Sequence, residues 1–315
     1  IDEKRGLFFP MNPDSVTVLI PAHNEAGCIA DTLRSIQHQT RPPDQILVVD
    51  DGSTDGTGAI AASLGAMVVR SPANSGFKAG AMNAGLPQVQ TEWLVTLDAD
   101  TILAADALEE IVAVAQAEDA AAACGLVLPQ RIHSVWERAR FVEYLLAFGV
   151  LKPVQDWYHH PMVASGCFSL YRTETVRALG GFPTGTVGED LDLTWRLYLA
   201  GESVKYASQA VCYTLEPPNL GLLRKQLARW SHGFVQNLLF HRGRLLKVPM
   251  LGCFVIVAFL DALLGGLLYL FVAPAMAVAY GWRYLAMVYL AELVLVAVPV
   301  LWMGHRVGLL RQTVF

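Results

Sequence analysis

The sequence predicts an α/β fold, a Rossmann-like, mostly parallel sheet with helices on both faces, followed by amphipathic and then membrane-crossing helices. Three observations predict it. Short β-branched runs alternate with helical patterns through the first half of the chain. Several of those runs break directly into aspartates. Hydrophobic residues make up 54 % and charged residues 16 % of 315 residues, with the excess of apolar residues at the C-terminal end. A mean hydropathy of +0.39 is too high for a plain soluble enzyme and implies a soluble domain joined to membrane segments. The net charge of −5 argues against a nucleic-acid partner. Five cysteines (Cys28, Cys124, Cys167, Cys212 and Cys253) lack metal-ligand spacing. They read as small buried residues in a reducing compartment. Ile1–Pro10 carries charges without the apolar core of a secretory signal, and the missing initiator Met implies upstream sequence.

In chain order, Val16–Ile20 is an apolar strand closed by Pro21. The Pro21-Ala22-His23-Asn24-Glu25 loop leads into an amphipathic helix carrying Ile29, Leu33 and Ile36, which ends before Pro42 and Pro43. Ile46–Val49 is a second strand and runs into Asp50-Asp51-Gly52-Ser53-Thr54-Asp55. Gly52 permits a tight turn there, and Ser53 or Thr54 is placed to cap the helix carrying Ile60 and Leu64. Met67–Val69 is a third strand, a helix follows around Ala79–Leu86, and Trp93–Leu97 is a fourth strand.

That fourth strand ends in Asp98-Ala99-Asp100. Ligands bind at the carboxyl ends of strands in open α/β sheets, so acids here sit at the mouth of a site. Two hard oxygen ligands one residue apart suit a divalent cation, Mg2+ or Mn2+, that also holds a diphosphate. Asp51, at the end of an earlier strand, is placed to accept hydrogen bonds from a base or ribose. Neither a G-x-G-x-x-G nor a phosphate-cradling P-loop follows the first strand.

The Pro-Ala-His-Asn-Glu, Asp-Asp-Gly-Ser-Thr-Asp and Asp-Ala-Asp segments, in that order and spacing, resemble the GT-A domain of inverting family 2 glycosyltransferases. Gly76–Asn83 resembles the G-x-K-A-G-A-L-N segment of cellulose-synthase-like members, with Met82 in place of Leu. The resemblance implies donor binding by Pro21, Ala22, Asn24, Glu25, Asp51, Lys78 and Asp98, and metal binding by Asp98 and Asp100. It places Gly188-Glu189-Asp190 where the family has T-E-D, which makes Asp190 the catalytic base, with Gly188 replacing Thr. From the residues alone, these acids are also ordinary first-turn residues of the helix carrying Leu193, Trp195, Leu197 and Tyr198. Ala164–Phe168 reads as a strand; its Ser165, Gly166 and Cys167 resemble the floor of the acceptor pocket, with Glu189 beside it. Small residues there serve close backbone packing equally well. An inverting transfer needs one carboxylate to take the acceptor proton and separate ligands for the metal. No nucleophile is required.

Farther on, Gln226-Leu227-Ala228-Arg229-Trp230 forms Q-x-x-R-W within an amphipathic helix of Leu222, Leu223, Leu227 and Trp230 among cations. Read alone it is a membrane-surface helix with an aromatic anchor. The resemblance adds that Gln226, Arg229 and Trp230 contact the donor and Trp230 the acceptor sugar. It covers Val16–Gly243, and the expected division is an N-terminal segment 1–15, a catalytic domain 16–215, an interfacial region 216–247 and a membrane region 248–315. His133–Leu151 and Asn219–Leu246 have the mixed apolar and basic character of interfacial helices. Pro249–Val272 and Tyr284–Leu301 are long enough to span a bilayer, with Pro274 and Gly281 in their connection. Their acids, Asp261 and Glu292, read as packed against other helices rather than lining a polymer channel. Arg242, Arg244 and Lys247 before the first span, Arg306 and Arg311 after the second, and only Arg283 between them predict a plasma-membrane, multi-pass protein. The catalytic domain and C-terminus then lie in the cytoplasm.

Three functions are compatible with this. The first is a membrane-bound synthase adding sugars from a UDP-sugar, with a lean to UDP-N-acetylglucosamine, to a β-linked polysaccharide. The second is single-step transfer to a lipid acceptor such as a polyprenyl phosphate or diacylglycerol. The third is a non-catalytic nucleotide- or sugar-binding subunit of a complex, which the presence of every expected acid disfavours. Membrane lipid is an expected partner in each, together with accessory subunits or self-association in the membrane.

Overall fold

The computed structural model describes residues 14–71 and 74–306. The chain forms two compact units, one built from the residues up to Leu126 together with Val163–Leu215, the other from Val127–Met162 and the residues from Glu216 onward. The expected segment 1–15 and Arg311 lie, wholly or nearly so, outside the described residues, as does the side chain of Arg306.

The first unit is organised by an eight-stranded sheet: β1 (Val16–Ala22), β2 (Gln45–Asp50), β3 (Met67–Arg70), β4 (Trp93–Leu97), β5 (Ile102–Leu103), β6 (Ala122–Pro129), β7 (Phe168–Arg172) and β8 (Val204–Thr214). Their order across the sheet is β3-β2-β1-β4-β7-β6-β8-β5. β3, β2, β1 and β4 are parallel. β7 then runs antiparallel to both β4 and β6, and β5 antiparallel to β8. The sheet is therefore mixed, not mostly parallel. Helices still separate β5, β6, β7 and β8 from one another, so the alternation by itself does not reveal that β7 returns antiparallel between β4 and β6.

Proline does not close the first strand, because β1 continues through Pro21 to Ala22. β1 pairs with β4 only as far as Leu19, opposite Thr96, while its pairing with β2 runs on to Ala22 opposite Asp50. Pro21 thus sits where one flank of the strand has already been vacated, and its missing N–H costs no ladder bond. The helix Thr57–Ser63 is served by Asp55, whose Oδ1 accepts from the Thr57 N–H at 3.1 Å. Neither Ser53 nor Thr54 caps it. Ala164–Cys167 is a turn leading into β7 rather than strand. The helices Ile29–Gln37 and Glu189–Leu199 form as expected, with Ile29, Leu33 and Ile36 of the first and Leu193, Trp195 and Leu197 of the second buried.

In the second unit, a capping box starts the helix Val135–Leu146: Ser134 accepts from the Glu137 N–H at 3.1 Å, and Glu137 accepts from the Ser134 N–H. A π-helical turn, Ala147–Leu151, carries it into Lys152–Trp157. Gly149 in that turn lies so close to Met303 that a Cβ would collide with its side chain. The helix Leu220–His241 begins at Asn219, whose Oδ1 accepts from Leu222 N–H at 3.0 Å. Two helical stretches, Pro249–Tyr280 and Trp282–His305, are long and apolar enough to cross a membrane. Pro274 does not lie between them. A π-helical turn at Leu268–Val272 absorbs the proline's missing donor, so helix continues to Tyr280, and the break falls at Gly281 with φ +83°.

The helix Lys78–Gly85 lies against β1 and β2 because its last residue has no side chain. A Cβ on Gly85 would come within 2.6 Å of Leu19 and 2.7 Å of Val49. Glycine-to-alanine in a helix ordinarily stabilises by about 1 kcal/mol, whereas overpacking a close-packed interior costs about 1–3 kcal/mol. Gly85→Ala should therefore lower the thermal unfolding midpoint, and a raised midpoint would contradict this packing.

Candidate active site

The site of the first unit is assembled at the C-terminal ends of β1, β2 and β4. The loop after β1 is stitched to the loop after β2. Asp51 N–H donates to Ala22 O at 2.8 Å, His23 Nδ1 lies 2.9 Å from Asp51 O, and Asn24 N–H donates to Ser53 Oγ at 3.0 Å. Asn24 takes a left-handed φ of 59°, which asparagine tolerates, and its Oδ1 accepts from Thr54 N–H at 2.9 Å. Glu25 N–H donates to Thr57 Oγ1 at 2.8 Å. Pro21, Ala22, Asn24 and Glu25 thus form one rigid edge with the Asp51 segment.

Asp51 is buried, and both its oxygens accept from Ser75. The Ser75 N–H lies 3.1 and 3.0 Å from Oδ1 and Oδ2, and the Ser75 hydroxyl 2.7 Å from Oδ2. Ser75 was not legible as a site residue: a serine in a polar loop carries no periodicity. Its effect is to fix Asp51 and, three residues before the helix Lys78–Gly85 begins, to fix the entry of Lys78.

Asp98, Ala99 and Asp100 form a turn closed by the Thr101 N–H donating to Asp98 O at 3.1 Å. Ala99 faces inward, and its carbonyl accepts from Thr32 Oγ1 at 2.7 Å. Lys78 Nζ forms a short ion pair with Asp98 Oδ1 and donates to Gly166 O at 2.8 Å. The N–H of the same Gly166 donates to Asp190 Oδ2 at 2.9 Å, and Asp190 Oδ1 accepts from Leu191 N–H at 2.8 Å. A Cβ on Gly166 would lie 3.2 Å from both Asp190 Oδ2 and Lys78 Nζ. Cys167 O accepts from Asp98 N–H at 3.2 Å, and Ser165 O accepts from Ser169 Oγ at 2.8 Å. Ser165–Cys167 therefore does more than leave room: its backbone joins the aspartate turn after β4 to the helix bearing Glu189 and Asp190.

Two further side chains hold this arrangement and escaped the sequence reading. Thr194 Oγ1 donates to Asp190 O at 2.6 Å and accepts from Ala164 N–H at 2.9 Å. Asn83, the last residue of the glycine-rich segment, clasps Phe182 by both main-chain groups at 2.8 Å each. This fixes the loop that precedes Gly188.

The electrostatics follow from crowding. Burial first, and then the Asp98 and Glu25 carboxylates, push the Asp100 carboxyl up to about 6. Burial and Asp190 likewise push Glu189 up to about 6, with Lys78 opposing. Burial works against the Lys78 ammonium, but Asp98, Glu189 and Asp190 outweigh it and hold it above its ordinary value. A cluster of carboxylates served by one lysine suits an added cation. Among the described residues no three His, Cys, Asp or Glu side chains converge to hold an ion alone. Asp98 and Asp100 would supply two carboxylate ligands to a divalent cation, with phosphate oxygens and water as the others.

The expected Gln226, Arg229 and Trp230 lie on the helix Leu220–His241 of the second unit. Gln226 is half-buried; Arg229 and Trp230 are exposed.

The family model described as Glycosyl transferase family 2 matches residues 17–180, more than half of the chain. The chain belongs to glycosyl transferase family 2. Among its relatives in the family is the poly-beta-1,6-N-acetyl-D-glucosamine synthase of Staphylococcus epidermidis, 27 % identical over 252 residues, covering 78 % of this chain and 60 % of that protein. The synthase of the same name from Staphylococcus aureus strain MSSA476 is 29 % identical over 225 residues, covering 70 % of this chain and 54 % of that protein. The chain thus spans about 60 % or less of the length of these relatives. The solved mannosyltransferase PcManGT from Pyrobaculum calidifontis, in complex with GDP-Man and Mn2+, superposes with a TM-score of 0.60 at 22 % identity, covering 95 % of this chain and 91 % of that one. S. aureus TarS gives a TM-score of 0.50 at 20 % identity over 65 % of this chain and 37 % of that one. These likenesses establish the family's fold in this chain, a mixed sheet of the GT-A type.

The raised carboxyl of Asp100 carries a prediction with a definite sign. Its folded value of about 6 exceeds its ordinary 3.8, so stability is fully present below about pH 4 and is lost as pH rises through about 6. In chelator, Asp100→Asn should raise the thermal midpoint at pH 7.5 and leave it unchanged at pH 4. A midpoint unchanged at pH 7.5 contradicts the crowding.

Proposed function

We propose that this protein is a membrane-bound, inverting, metal-dependent glycosyltransferase that extends a β-linked polysaccharide from UDP-N-acetylglucosamine. The observation that carries the reading is the pairing, across Gly166, of Asp190 with the Lys78–Asp98 ion pair. A base and a donor-side cation are held in one frame, which a single displacement at the anomeric carbon requires. The choice of sugar and polymer is supported by the relatives' names, poly-beta-1,6-N-acetyl-D-glucosamine synthases, at 27–29 % identity.

In this reading Asp190 accepts the proton of the acceptor hydroxyl, while its two main-chain hydrogen bonds hold the carboxylate in place. Lys78 moves from Asp98 toward the diphosphate of the donor. Asp51, fixed by Ser75, borders the nucleoside; Pro21, Ala22, Asn24 and Glu25 form the rest of that edge. Asp98 and Asp100 hold Mg2+ or Mn2+, which when bound stabilises the charge of the departing diphosphate. Ser165, Gly166, Cys167 and Glu189 border the acceptor. Gln226 and Arg229 reach the diphosphate, and Trp230 offers a flat apolar face to the acceptor sugar. The catalytic domain, 16–215, and the interfacial region, 216–247, act at the cytoplasmic face of a membrane crossed by the helices that follow. Exposed Leu222, Leu227, Leu239 and Phe240 on the helix Leu220–His241, beside Arg224, Lys225 and Arg229, fit that placement.

The test is nucleotide release by full-length, membrane-reconstituted protein from a panel of UDP- and GDP-sugars with Mn2+. UDP-N-acetylglucosamine should be turned over, chelator should stop it, and Asp190→Asn should reduce the rate about a thousandfold while Mn2+–UDP still binds. A ladder of product lengths is the expected outcome. A single glycolipid would replace polymer extension with one-step transfer, and nucleotide binding without any turnover would leave only a binding subunit.

A further inference from the structure

Arg140 is a basic side chain that the proposed reaction does not use, and it is almost wholly enclosed, with 1 % of its side chain exposed. Burying a guanidinium is costly unless its donors are matched. Arg140 Nε donates to Glu216 Oε2 at 3.0 Å, Glu216 being equally enclosed, and Nη1 forms a short ion pair with Glu143. The remaining Nη2 makes no hydrogen bond. The carbon of the guanidinium lies 4.5 Å from the centre of the Tyr144 ring and 4.7 Å from that of Trp230. The two carboxylates hold the guanidinium, and its carbon lies over both rings. A lysine has no comparable flat, weakly hydrated face to offer an indole.

The position of Arg140 is itself well determined. The capping box at Ser134 and Glu137 fixes the start of its helix, and Arg140 follows within two turns. Glu216 stands three residues before the Asn219 cap that starts the helix carrying Trp230. One buried ion pair thus ties together the beginnings of both helices. Trp230 keeps 42 % of its surface exposed, so a ring held against Arg140 still presents area to a ligand.

We propose that Arg140, anchored by Glu216, is the positioning residue for Trp230. It stacks on the indole so that the ring is already oriented before an acceptor sugar arrives. The proposal rests on the acceptor role given above to Trp230, and deepens it. A loose tryptophan must lose rotamer freedom on binding sugar, whereas one held by a buried cation has lost it already. The effect belongs to acceptor affinity, because Arg140 acts only through the ring.

Two measurements on the full-length protein test this. The first labels the chain with 5-fluorotryptophan and assigns the Trp230 resonance by its loss in Trp230→Phe. In Arg140→Lys, which keeps a cation opposite Glu216, and in Arg140→Met/Glu216→Gln, which removes the buried pair together, the Trp230 line should shift and narrow. An unmoved line overturns the proposal. The second measures the KM for a β-1,6-linked N-acetylglucosamine oligomer and for UDP-N-acetylglucosamine. Arg140→Lys should raise the oligomer KM roughly fivefold, the size of a partly desolvated cation–π contact. It should leave the donor KM and saturated kcat alone, and add nothing in a Trp230→Leu background. Equal damage to all parameters, or an additive effect on Trp230→Leu, overturns it. Trp230→Leu with an unchanged oligomer KM would instead remove the acceptor role of Trp230, while the fluorine line would still report whether Arg140 holds the ring.

Discussion

The arrangement of the first unit depends on Gly166, whose carbonyl accepts a hydrogen bond from Lys78 while its N–H donates one to Asp190. Lys78 is paired to Asp98 at the end of β4, and Asp190 begins the helix that follows the Gly180–Gly188 loop. Two carboxylate sites that arise about ninety residues apart in the chain are thereby set by one residue of backbone. A Cβ there would stand 3.2 Å from both charged groups and press on each. Around this link the rest is support. Ser75 fixes Asp51 and the approach to Lys78, Thr194 ties Asp190 to Ala164, and Asn83 holds the loop before Gly188. Packing of the helix Lys78–Gly85 on β1 and β2 sets the height at which Lys78 emerges.

The same crowding explains why such a site is electrostatically expectant. Asp100 and Glu189 are both pushed up to about 6 by burial and by their acidic neighbours. One lysine is shared among Asp98, Glu189 and Asp190. Such a cluster is less stable near neutral pH than at acid pH until positive charge is added. The fold carries that strain on a mixed sheet whose parallel half brings β1, β2 and β4 to one edge. The antiparallel half returns β7, and with it Gly166, alongside β4.

The acids were legible in the sequence because each follows an apolar strand run, and a charged residue at such a break has few places to go but the sheet edge. Their order made the family visible. What the sequence hid was connectivity between distant polar groups. Ser75, Thr194, Asn83 and Glu216 belong to no periodic pattern, and their partners lie far off in sequence. Pro21 and Pro274 misled for a common reason. Proline ordinarily ends a strand or a helix, yet each sits where its missing N–H is not needed, at a vacated strand flank and after a π-helical turn. The strand β8 is hidden because its pattern is interrupted by the exposed Ser208 and Gln209, and the mixed sheet because the direction in which β7 pairs with β4 and β6 has no local sequence signature. The long apolar helices were plain from composition alone.

The most direct measurement of the central link is Gly166→Ala, read by two quantities in the same preparation, Mn2+–UDP affinity and donor turnover, with Lys78→Met alongside. If Gly166 joins the two sides, its methyl group displaces both Lys78 and Asp190. Affinity and turnover then fall together in Gly166→Ala, turnover by at least about tenfold beyond the loss in Lys78→Met, since a small misplacement of a catalytic group is that costly. Wild-type affinity and turnover in a folded Gly166→Ala protein would contradict the account.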